Sequence, residues 1–292
     1  MRILVTGSTG QVGRSLVPAL SRLGEVIALD RATCDLSDLA AINRALHAVQ
    51  PDVIVNPAAY TAVDKAETER NAAFAVNSRA PGMLAQLAAE RGVPLIHYST
   101  DYVYDGRKPT PYVEDDPTNP LSVYGTSKLD GEEEIRANLQ RHVILRTSWV
   151  FSEHGTNFLK TMLRLGMERD TLNVVADQIG APTPAHFIAQ ATATIIQRLQ
   201  QGDAPFGTYH LASAGQTSWH GYAEFLLTNA RRLGIPLKVN VINPIPAAAY
   251  PVPAVRPANS RLDTSKLARD FAITPPPWQD GVVQVLERLS AS

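Results

Sequence analysis

A tyrosine and a lysine four positions apart are the residues of this chain whose pairing most directly indicates chemistry. Tyr124 and Lys128 begin a stretch with a helical pattern, so both side chains should lie on one helix face. A free tyrosine has a pKa of about 10, and a cation beside it should lower that pKa. Tyr124 could then give a proton to a carbonyl oxygen as a hydride reaches the carbon. On spacing alone, an ordinary exposed helix start is the alternative.

The segment before this pair supplies a further hydroxyl. Residues 93–98 form an apolar run that is typical of a buried parallel strand, and the carboxyl end of this strand delivers Thr100. A loop rich in Pro, Gly and Asp then leads to Tyr124. We expect Thr100 to hydrogen-bond the same carbonyl oxygen as Tyr124.

Glycines near the N-terminus predict a dinucleotide site. Residues 2–6 indicate a short apolar strand, and Gly7, Gly10 and Gly13 follow it directly, before apolar residues at helical spacing. Such glycines let the backbone approach a pyrophosphate, which the free amides and positive dipole end of the helix N-terminus bind. A glycine turn without a ligand is the alternative, but the flanking strand and helix favour the site.

Two residues after the second strand bear on the choice of cofactor. Asp30 follows the apolar residues 26–29, at the distance where an acid binds the adenosine ribose. Arg31 could pair with a 2′-phosphate. Because Asp30 favours NADH and Arg31 favours NADPH, we expect both cofactors to work, NADPH somewhat better.

Strands and helices alternate along the chain, which predicts an α/β fold with a doubly wound, Rossmann-type parallel sheet. Later strands are expected at 52–56, 93–98, 142–147 and, returning to the sheet, 209–211. We assign residues 1–148, rejoined by about 184–212, to the dinucleotide-binding domain. A smaller C-terminal substrate-binding domain takes residues 149–183 and 213–292. Ligands of such sheets bind outside the carboxyl ends of the strands, where the residues named above lie.

Composition argues against several classes of partner. The chain is 45% hydrophobic with a net charge of −1, and no apolar run is long enough to span a bilayer, so we expect no nucleic-acid or membrane partner. The first strand starts at once after Met1, so no signal peptide is expected. Cys34 is the only cysteine, which excludes a disulfide framework and suits a reducing cytoplasm.

The glycine pattern, Thr100 and the Tyr124–Lys128 pair together resemble the extended short-chain dehydrogenase/reductases. Further motifs are similar to those of the dTDP-4-dehydrorhamnose reductase family and span nearly the whole chain: 56–67 (NPAAYTAVDKAE), 97–104 (HYSTDYVY), 146–150 (RTSWV), 180–183 (GAPT) and 256–261 (RPANSR). The resemblance implies NAD(P)H-dependent reduction of the C4 ketone of dTDP-4-dehydro-L-rhamnose to dTDP-L-rhamnose, the last step of dTDP-rhamnose biosynthesis. It implies catalytic roles for Thr100, Tyr124 and Lys128.

The same resemblance implies a set of binding contacts. Cofactor contacts are expected from Gly7, Gly10, Gln11, Val12, Gly13, Asp30, Arg31, Asp35, Leu36, Ala59, Tyr60, Thr61, Tyr102, Tyr124 and Lys128. Contacts to the dTDP-sugar substrate are expected from Thr100, Asp101 and Trp149.

Residues of the second half could complete the substrate site. Trp149 follows the strand at 142–147 and could stack on a sugar or a base, with a core tryptophan as the alternative. Arg256 and Arg261 flank a Pro/Asn/Ser turn and could clamp a diphosphate, with solvated surface arginines as the alternative.

Two other functions are compatible with the resemblance. A nucleotide-sugar 4,6-dehydratase carries an Asp-Glu pair after the threonine, whereas here Asp101 is followed by Tyr102. A non-catalytic NADP-binding subunit, like the regulatory subunit of methionine adenosyltransferase, is the second. The presence of Thr100, Tyr124 and Lys128 together favours an enzyme.

A bridging metal is where the sequence departs from the family. Some of these reductases are described as homodimers bridged by Mg²⁺ through glutamates. At the aligned positions this chain has Ser15, His186 and Arg288, none of which is a carboxylate. Because Mg²⁺ requires oxygen ligands, we expect no metal site, and we leave a homodimer open.

Overall fold

The central element of the structure is a parallel sheet, seen in a computed structural model that describes residues 1–202 and 205–291. The strands are β1 Arg2–Val5, β2 Glu25–Ala28, β3 Val53–Asn56, β4 Leu95–Thr100, β5 His142–Thr147, β6 Val150–Phe151, β7 Thr171–Val175, β8 Ile179–Gly180, β9 Thr183–Pro184, β10 Gly207–His210, β11 Thr217–Ser218 and β12 Val241–Ile245. Within the described residues, six of them pair in the order β10–β5–β4–β3–β1–β2, every pair parallel. The prediction of a doubly wound parallel sheet is confirmed.

Helices connect these strands and cover both faces of the sheet. They are α1 Gln11–Leu20, α2 Leu39–Val49, α3 Val63–Ala66, α4 Arg70–Phe74, α5 Ala80–Arg91, α6 Val123–Asn138, α7 Phe158–Glu168, α8 Ala185–Gln201, α9 Trp219–Arg232, α10 Ser265–Phe271 and α11 Trp278–Ser290. A π-helical turn spans Ala75–Arg79, and 3₁₀ turns span Asp101–Val103 and Ala247–Ala249. Among the helices of the described residues, none is long and apolar enough to cross a membrane.

The apolar spacing along the helices decides which face each one covers. On α1 and α8 the buried residues Leu16, Leu20, Ile188 and Ile195 pack on one face of the sheet. The other face is covered by α2, α5 and α6, whose buried residues include Ile42, Leu46, Leu84 and Ile135. Central strands β3 and β4 are buried along their whole length, as expected of strands covered on both sides.

A second cluster of buried side chains lies outside the sheet. It is formed by α7, α9, α11, β7 and β12, with Leu163, Leu226 and Val285 among its fully or largely buried members. Strands β7 and β12 pair in parallel with each other and not with the central sheet. The sheet with its covering helices and this second cluster correspond to the two domains that we propose from the sequence, and β10 returns to the sheet by pairing with β5.

Three helices and a π turn fill the segment between β3 and β4, which the structure describes throughout. Helix α3 ends at Ala66, where the N–H groups of Thr68 and Glu69 both bond back to the carbonyl of Lys65. Helix α4 then continues through the π turn Ala75–Arg79 into α5 without a break. The next strand, β4, lies two residues later than the predicted range 93–98. It therefore contains Thr100, which we expect just beyond the strand end.

A buried ion pair fastens α6 to the sheet. Arg146 on β5 donates from Nε to Glu132 Oε1 at 2.9 Å and from Nη2 to Oε2 at 2.6 Å, and these side chains are 4% and 0% exposed. Arg146 Nη1 also donates to the Tyr104 hydroxyl, which lies 2.8 Å from His210 Nε2 on β10. Burial acts to raise the pKa of the Glu132 carboxyl, but the bonds and charge of Arg146 outweigh it and lower the pKa.

Arg146→Met should destabilise the fold by about 3–5 kcal/mol, because it removes both bonds of the bidentate pair and leaves the buried Glu132 carboxylate with Arg136 as its remaining cation. The measurement is the free energy of unfolding from urea denaturation at neutral pH. Arg164→Met is the matched control, since Arg164 pairs with Glu168 on the surface of α7 with both side chains more than half exposed. The control should lose no more than about 0.5 kcal/mol. Equal small losses in both variants would contradict a structural role for the buried pair.

Candidate active site

A cavity of about 890 Å³ opens at the carboxyl ends of the central strands. It runs from the glycine turn after β1, past the loop after β3, to the start of α6 and the segment after β5. The predicted site residues that line it are Gly7, Gly10, Gln11, Val12, Gly13, Asp30, Arg31, Asp35, Leu36, Ala59, Tyr60, Thr61, Thr100, Asp101, Tyr102, Tyr124, Lys128 and Trp149. The fold therefore brings these residues, which are distant in sequence, into one cleft.

The glycine turn presents the N-terminus of α1 to this cavity. Gly7 has φ +53°, a conformation that favours glycine, and a side chain at Gly13 would meet the Gly7 carbonyl oxygen at 2.2 Å. The first turn of α1 carries no acidic side chain. Gln11 Oε1 accepts a hydrogen bond from Asn157 Nδ2 at 2.8 Å, which joins this turn to the second half of the chain. The Ser8 and Gly10 N–H groups donate to the carbonyls of Leu29 and Gly7, so the N–H groups of the first turn of α1 are the ones that could bind an anion.

Charged groups of both signs lie at the end of the cavity next to β2. Asp30 Oδ1 accepts bonds from the Thr33 N–H and hydroxyl, both at 2.9 Å, and these bonds lower the pKa of its carboxyl. The Arg31 side chain is 88% exposed, with Nε 3.4 Å from Asp35 Oδ2. Arg31 is therefore free to turn toward a phosphate, whereas Asp30 is held in place.

A buried asparagine that the sequence analysis missed holds the loop after β3. Asn77 Oδ1 accepts from the Tyr60 N–H at 2.8 Å, and its Nδ2 donates to the Tyr60 carbonyl and to Ser127 Oγ, both at 3.0 Å. It therefore connects the loop to α6. Its position in a π turn gave no sequence signal, although π turns are frequent at functional sites.

The Tyr124 phenol faces Thr100 across the cleft. Burial raises the pKa of Tyr124 to about 12, although a hydrogen bond with Thr100 acts in the opposite direction and the charge of Asp101 acts in the same one. Tyr102 packs edge-on against the Tyr124 ring, with the centroids 5.5 Å apart. The two predicted hydrogen-bonding groups are thus adjacent, and the phenol is protonated at neutral pH.

Burial outweighs the lowering of the Tyr124 pKa that we expect from Lys128. Lys128 is 1% exposed, and its Nζ donates to the Tyr98 carbonyl at 2.6 Å and lies 3.1 Å from His97 Nε2. Burial lowers the pKa of Lys128 to about 8, with the charge of Glu132 acting against that. Because the phenol is desolvated, the pKa of Tyr124 rises instead of falling, while the Lys128 ammonium is held by groups of β4 one helical turn away.

Asp101 is a buried carboxyl beside this pair. It is 2% exposed, and its Oδ1 accepts from the Thr100 hydroxyl at 3.1 Å. Burial raises the pKa of Asp101 to about 6, while hydrogen bonds with Ser260 and Thr100 limit the rise. At neutral pH the group is mainly ionised, as a ligand for sugar hydroxyls would be.

Trp149 lines the cavity but does not offer a free ring face on both sides. Its ring stacks on Trp219 with centroids 3.6 Å apart, and a side chain at Gly180 would meet the same indole at 2.6 Å. Trp149 also has φ +50°, a strained conformation for a bulky residue. The structure thus combines the two alternatives left by the sequence, since the residue is packed in the second cluster and still borders the cleft.

The two arginines of the 256–261 turn are not among the residues that line the cavity, although the charge of Arg256 acts on Tyr102, which does line it. Arg256 donates to both carboxylate oxygens of Asp64, at 3.0 and 2.9 Å. Arg261 donates to the Pro109 carbonyl at 2.6 Å and to Asn259 Oδ1 at 2.8 Å. Both guanidinium groups are held by protein acceptors, and a diphosphate clamp by them stays a prediction.

Of the positions expected to bind no metal, His186 and Arg288 lie near one another, whereas the Ser15 hydroxyl bonds the Gln11 carbonyl within α1. Arg288 Nη1 donates to Glu153 Oε1 at 2.9 Å, and burial and the charge of Arg288 lower the pKa of His186. Within residues 1–202 and 205–291, no cluster of three or more His, Cys, Asp or Glu side chains could hold a metal ion. The Glu153 carboxylate is paired with an arginine of the chain itself.

Comparison with known proteins agrees with this geometry over the full length. The family model described as RmlD substrate binding domain matches residues 1–291. The chain is 47% identical to the dTDP-4-dehydrorhamnose reductase of Shigella flexneri, over 99% of this chain and 98% of the relative.

Two solved structures are similar in both sequence and fold. A dTDP-4-dehydrorhamnose reductase from Clostridium acetobutylicum superposes with a TM-score of 0.90 at 34% identity, covering 99% of each chain. A reductase from Bacillus anthracis, in complex with NADP, superposes with a TM-score of 0.90 at 32% identity, covering 98% of this chain and 99% of that one. With a cleft for a dinucleotide at one end and for a carbonyl at the other, this chain belongs to the dTDP-4-dehydrorhamnose reductase family.

Proposed function

We propose that this chain reduces the C4 ketone of dTDP-4-dehydro-L-rhamnose to dTDP-L-rhamnose, with NADPH as the preferred cofactor and NADH as a second one. The observation that carries the proposal is the juxtaposition of Thr100 and Tyr124 at one end of a cleft whose other end holds the α1 N-terminus, Asp30 and Arg31. A reductase needs a proton donor and a dinucleotide site in one cavity. The single thiol, Cys34, is buried and free, which supports a cytoplasmic location.

Three groups of the chain would each bind a different part of the cofactor. The α1 N-terminus would hold the pyrophosphate, and Asp30 the ribose. The exposed Arg31 would reach a 2′-phosphate. The bound nicotinamide supplies the hydride to the ketone carbon.

The protonated phenol of Tyr124 would supply the proton to the ketone oxygen. Its raised pKa keeps the proton on the phenol until negative charge develops on the substrate. An alkoxide is a stronger base than a phenolate, so proton transfer remains favourable at that moment. Thr100 would orient the same oxygen, and the positive charge of Lys128 would stabilise the tyrosinate that is left.

The direct test mixes purified protein, NADPH and dTDP-4-dehydro-L-rhamnose, and follows the absorbance of the reduced nicotinamide. We expect oxidation of NADPH that requires the sugar nucleotide, and formation of dTDP-L-rhamnose. Tight NADPH binding without turnover would instead indicate a non-catalytic binding subunit.

Tyr124→Phe should reduce kcat by about 10²–10⁴-fold, because the proton donor is lost from the chemical step. The affinity for NADPH, measured by fluorescence titration, should change little, since the phenol acts in the transition state. Tyr209→Phe is the control. The Tyr209 hydroxyl, on the edge strand β10, donates to the Pro205 carbonyl and to Asp270 Oδ2. A fully active Tyr124→Phe enzyme would remove the residue from the mechanism.

Arg31→Ala should weaken NADPH binding by about 1.5–3 kcal/mol and leave NADH binding nearly unchanged, since a charged hydrogen bond to the 2′-phosphate is lost. The Kd of each cofactor is measured by titration at constant ionic strength. Arg44→Ala removes an exposed arginine of α2 and controls for the general loss of positive charge. Equal losses for the two cofactors would show that Arg31 does not read the phosphate.

Chelation should leave activity and assembly unchanged. Neither the hydride transfer nor proton donation by Tyr124 requires a metal, and Arg288 already provides a cation beside Glu153. We expect the same kcat and the same mass in sedimentation with EDTA and with Mg²⁺. Activity or a homodimer that disappears with EDTA and returns with Mg²⁺ would mean that other carboxylates bind the ion.

A further inference from the structure

A chain of buried polar side chains runs from Lys128 under the cofactor loops. Lys128 Nζ lies 3.1 Å from His97 Nε2, and His97 Nδ1 lies 3.1 Å from Asn56 Nδ2. Asn56 Oδ1 in turn lies 2.5 Å from Thr6 Oγ1. All four side chains are at most 2% exposed. The array crosses α6, β4, β3 and the end of β1, so it lies directly beneath the glycine turn and the loop after β3.

The donors and acceptors of this array allow two settings. With Asn56 Nδ2 directed at His97, Nδ1 must accept, so Nε2 carries the hydrogen and points at Lys128. An N–H facing an ammonium ion is a donor facing a donor, so this setting requires a neutral lysine. If the Asn56 amide turns by 180°, its oxygen accepts from Nδ1–H and its nitrogen donates to Thr6, while Nε2 accepts from a charged lysine.

The charged groups around Lys128 favour the second setting. On its own helix, Glu132 is ionised and raises the lysine pKa, while Arg146 is held by Glu132. From β4, the imidazole of His97 is uncharged, because burial and the charge of Lys128 lower its pKa well below the ordinary value. From the turn after β4, Asp101 is a carboxylate whose charge acts on Tyr124. Thus His97 faces the ammonium group as a neutral acceptor.

We propose that His97, held by Asn56 and Thr6, is a positioning residue that keeps Lys128 charged and fixed one helical turn from Tyr124, and that it does so as the Nδ1–H tautomer. This inference rests on the proposed function, because the ammonium charge is what stabilises the tyrosinate left by proton transfer. His97 touches neither substrate nor the reacting atoms and acts through the lysine alone.

The pH dependence of the reaction follows from this arrangement. Burial lowers the pKa of Lys128 to about 8, so the charged form is lost as the pH rises through that value. The acceptor at Nε2 favours the charged form, and its removal should lower the lysine pKa further. Activity should then fall at a lower pH than in the wild type.

The first experiment compares pH profiles of kcat/KM for NADPH-dependent reduction. His97→Leu should shift the alkaline limb to lower pH by about one unit or more, as loss of a hydrogen bond to a charged group predicts. His97→Gln retains an acceptor and should restore most of the wild-type profile. Thr192→Val is the control, because it removes a buried hydroxyl bonded to Tyr98 beside the same strand without touching Lys128.

The second experiment does not depend on turnover or on the stability of a variant. Nitrogen-15 NMR of the wild-type imidazoles, with His97 assigned by its absence in His97→Gln, should show the Nδ1–H tautomer at pH 7 and a gain of Nε2–H above pH 8. An Nε2–H tautomer at every pH, or an unshifted profile in an active His97→Leu enzyme, would overturn the proposal. Absence of reductase activity in the wild type would refute the proposed function and leave the NMR result to judge the array.

Discussion

The bidentate ion pair between Glu132 and Arg146 is the contact on which the geometry of the cleft depends. It fixes α6 against β5, and α6 carries Tyr124 about two turns and Lys128 about one turn before Glu132. Buried charges of opposite sign have few alternative arrangements, because separating them leaves each one desolvated and unpaired. The helix is thus held at one height relative to the strand end that carries Thr100. Apolar packing alone would tolerate small sliding movements that this pair prevents.

Polar contacts connect the central sheet and its helices to the second half of the chain. Gln11, at the start of α1, accepts from Asn157 at the N-cap of α7, and Asp64 after the β3 loop holds Arg256 with two bonds. These contacts are polar and partly exposed, whereas the clusters consist of buried apolar side chains. Polar contacts rearrange at lower cost than a packed core, which suits an enzyme that must admit a sugar nucleotide.

Local backbone rules explain which parts of this protein could be predicted from its sequence. The glycine turn, Asp30 and the Tyr124–Lys128 spacing depend on a strand, a turn and one helical face, and the structure brings all of them to the predicted cleft. The direction of the Lys128 ammonium depends instead on His97 and the Tyr98 carbonyl, about thirty residues earlier. The pKa of Tyr124 depends on burial by the whole fold. Long-range partners of this kind leave no periodic pattern in a single sequence.

The π turn at Ala75–Arg79 has a consequence for the evolution of this helix. A π turn bonds each residue to the fifth one along instead of the fourth, so it accommodates one extra residue while the helix on either side keeps its phase. Deletion of one residue there would therefore give an ordinary, better bonded helix, with α4 and α5 still facing the same neighbours. Asn77 would lose its place beneath the Tyr60 loop, and Ser78 would lose its bond to Asp130 on α6. A one-residue deletion in this segment would thus keep the helix stable while it removes the support of the Tyr60 loop, which lines the cavity.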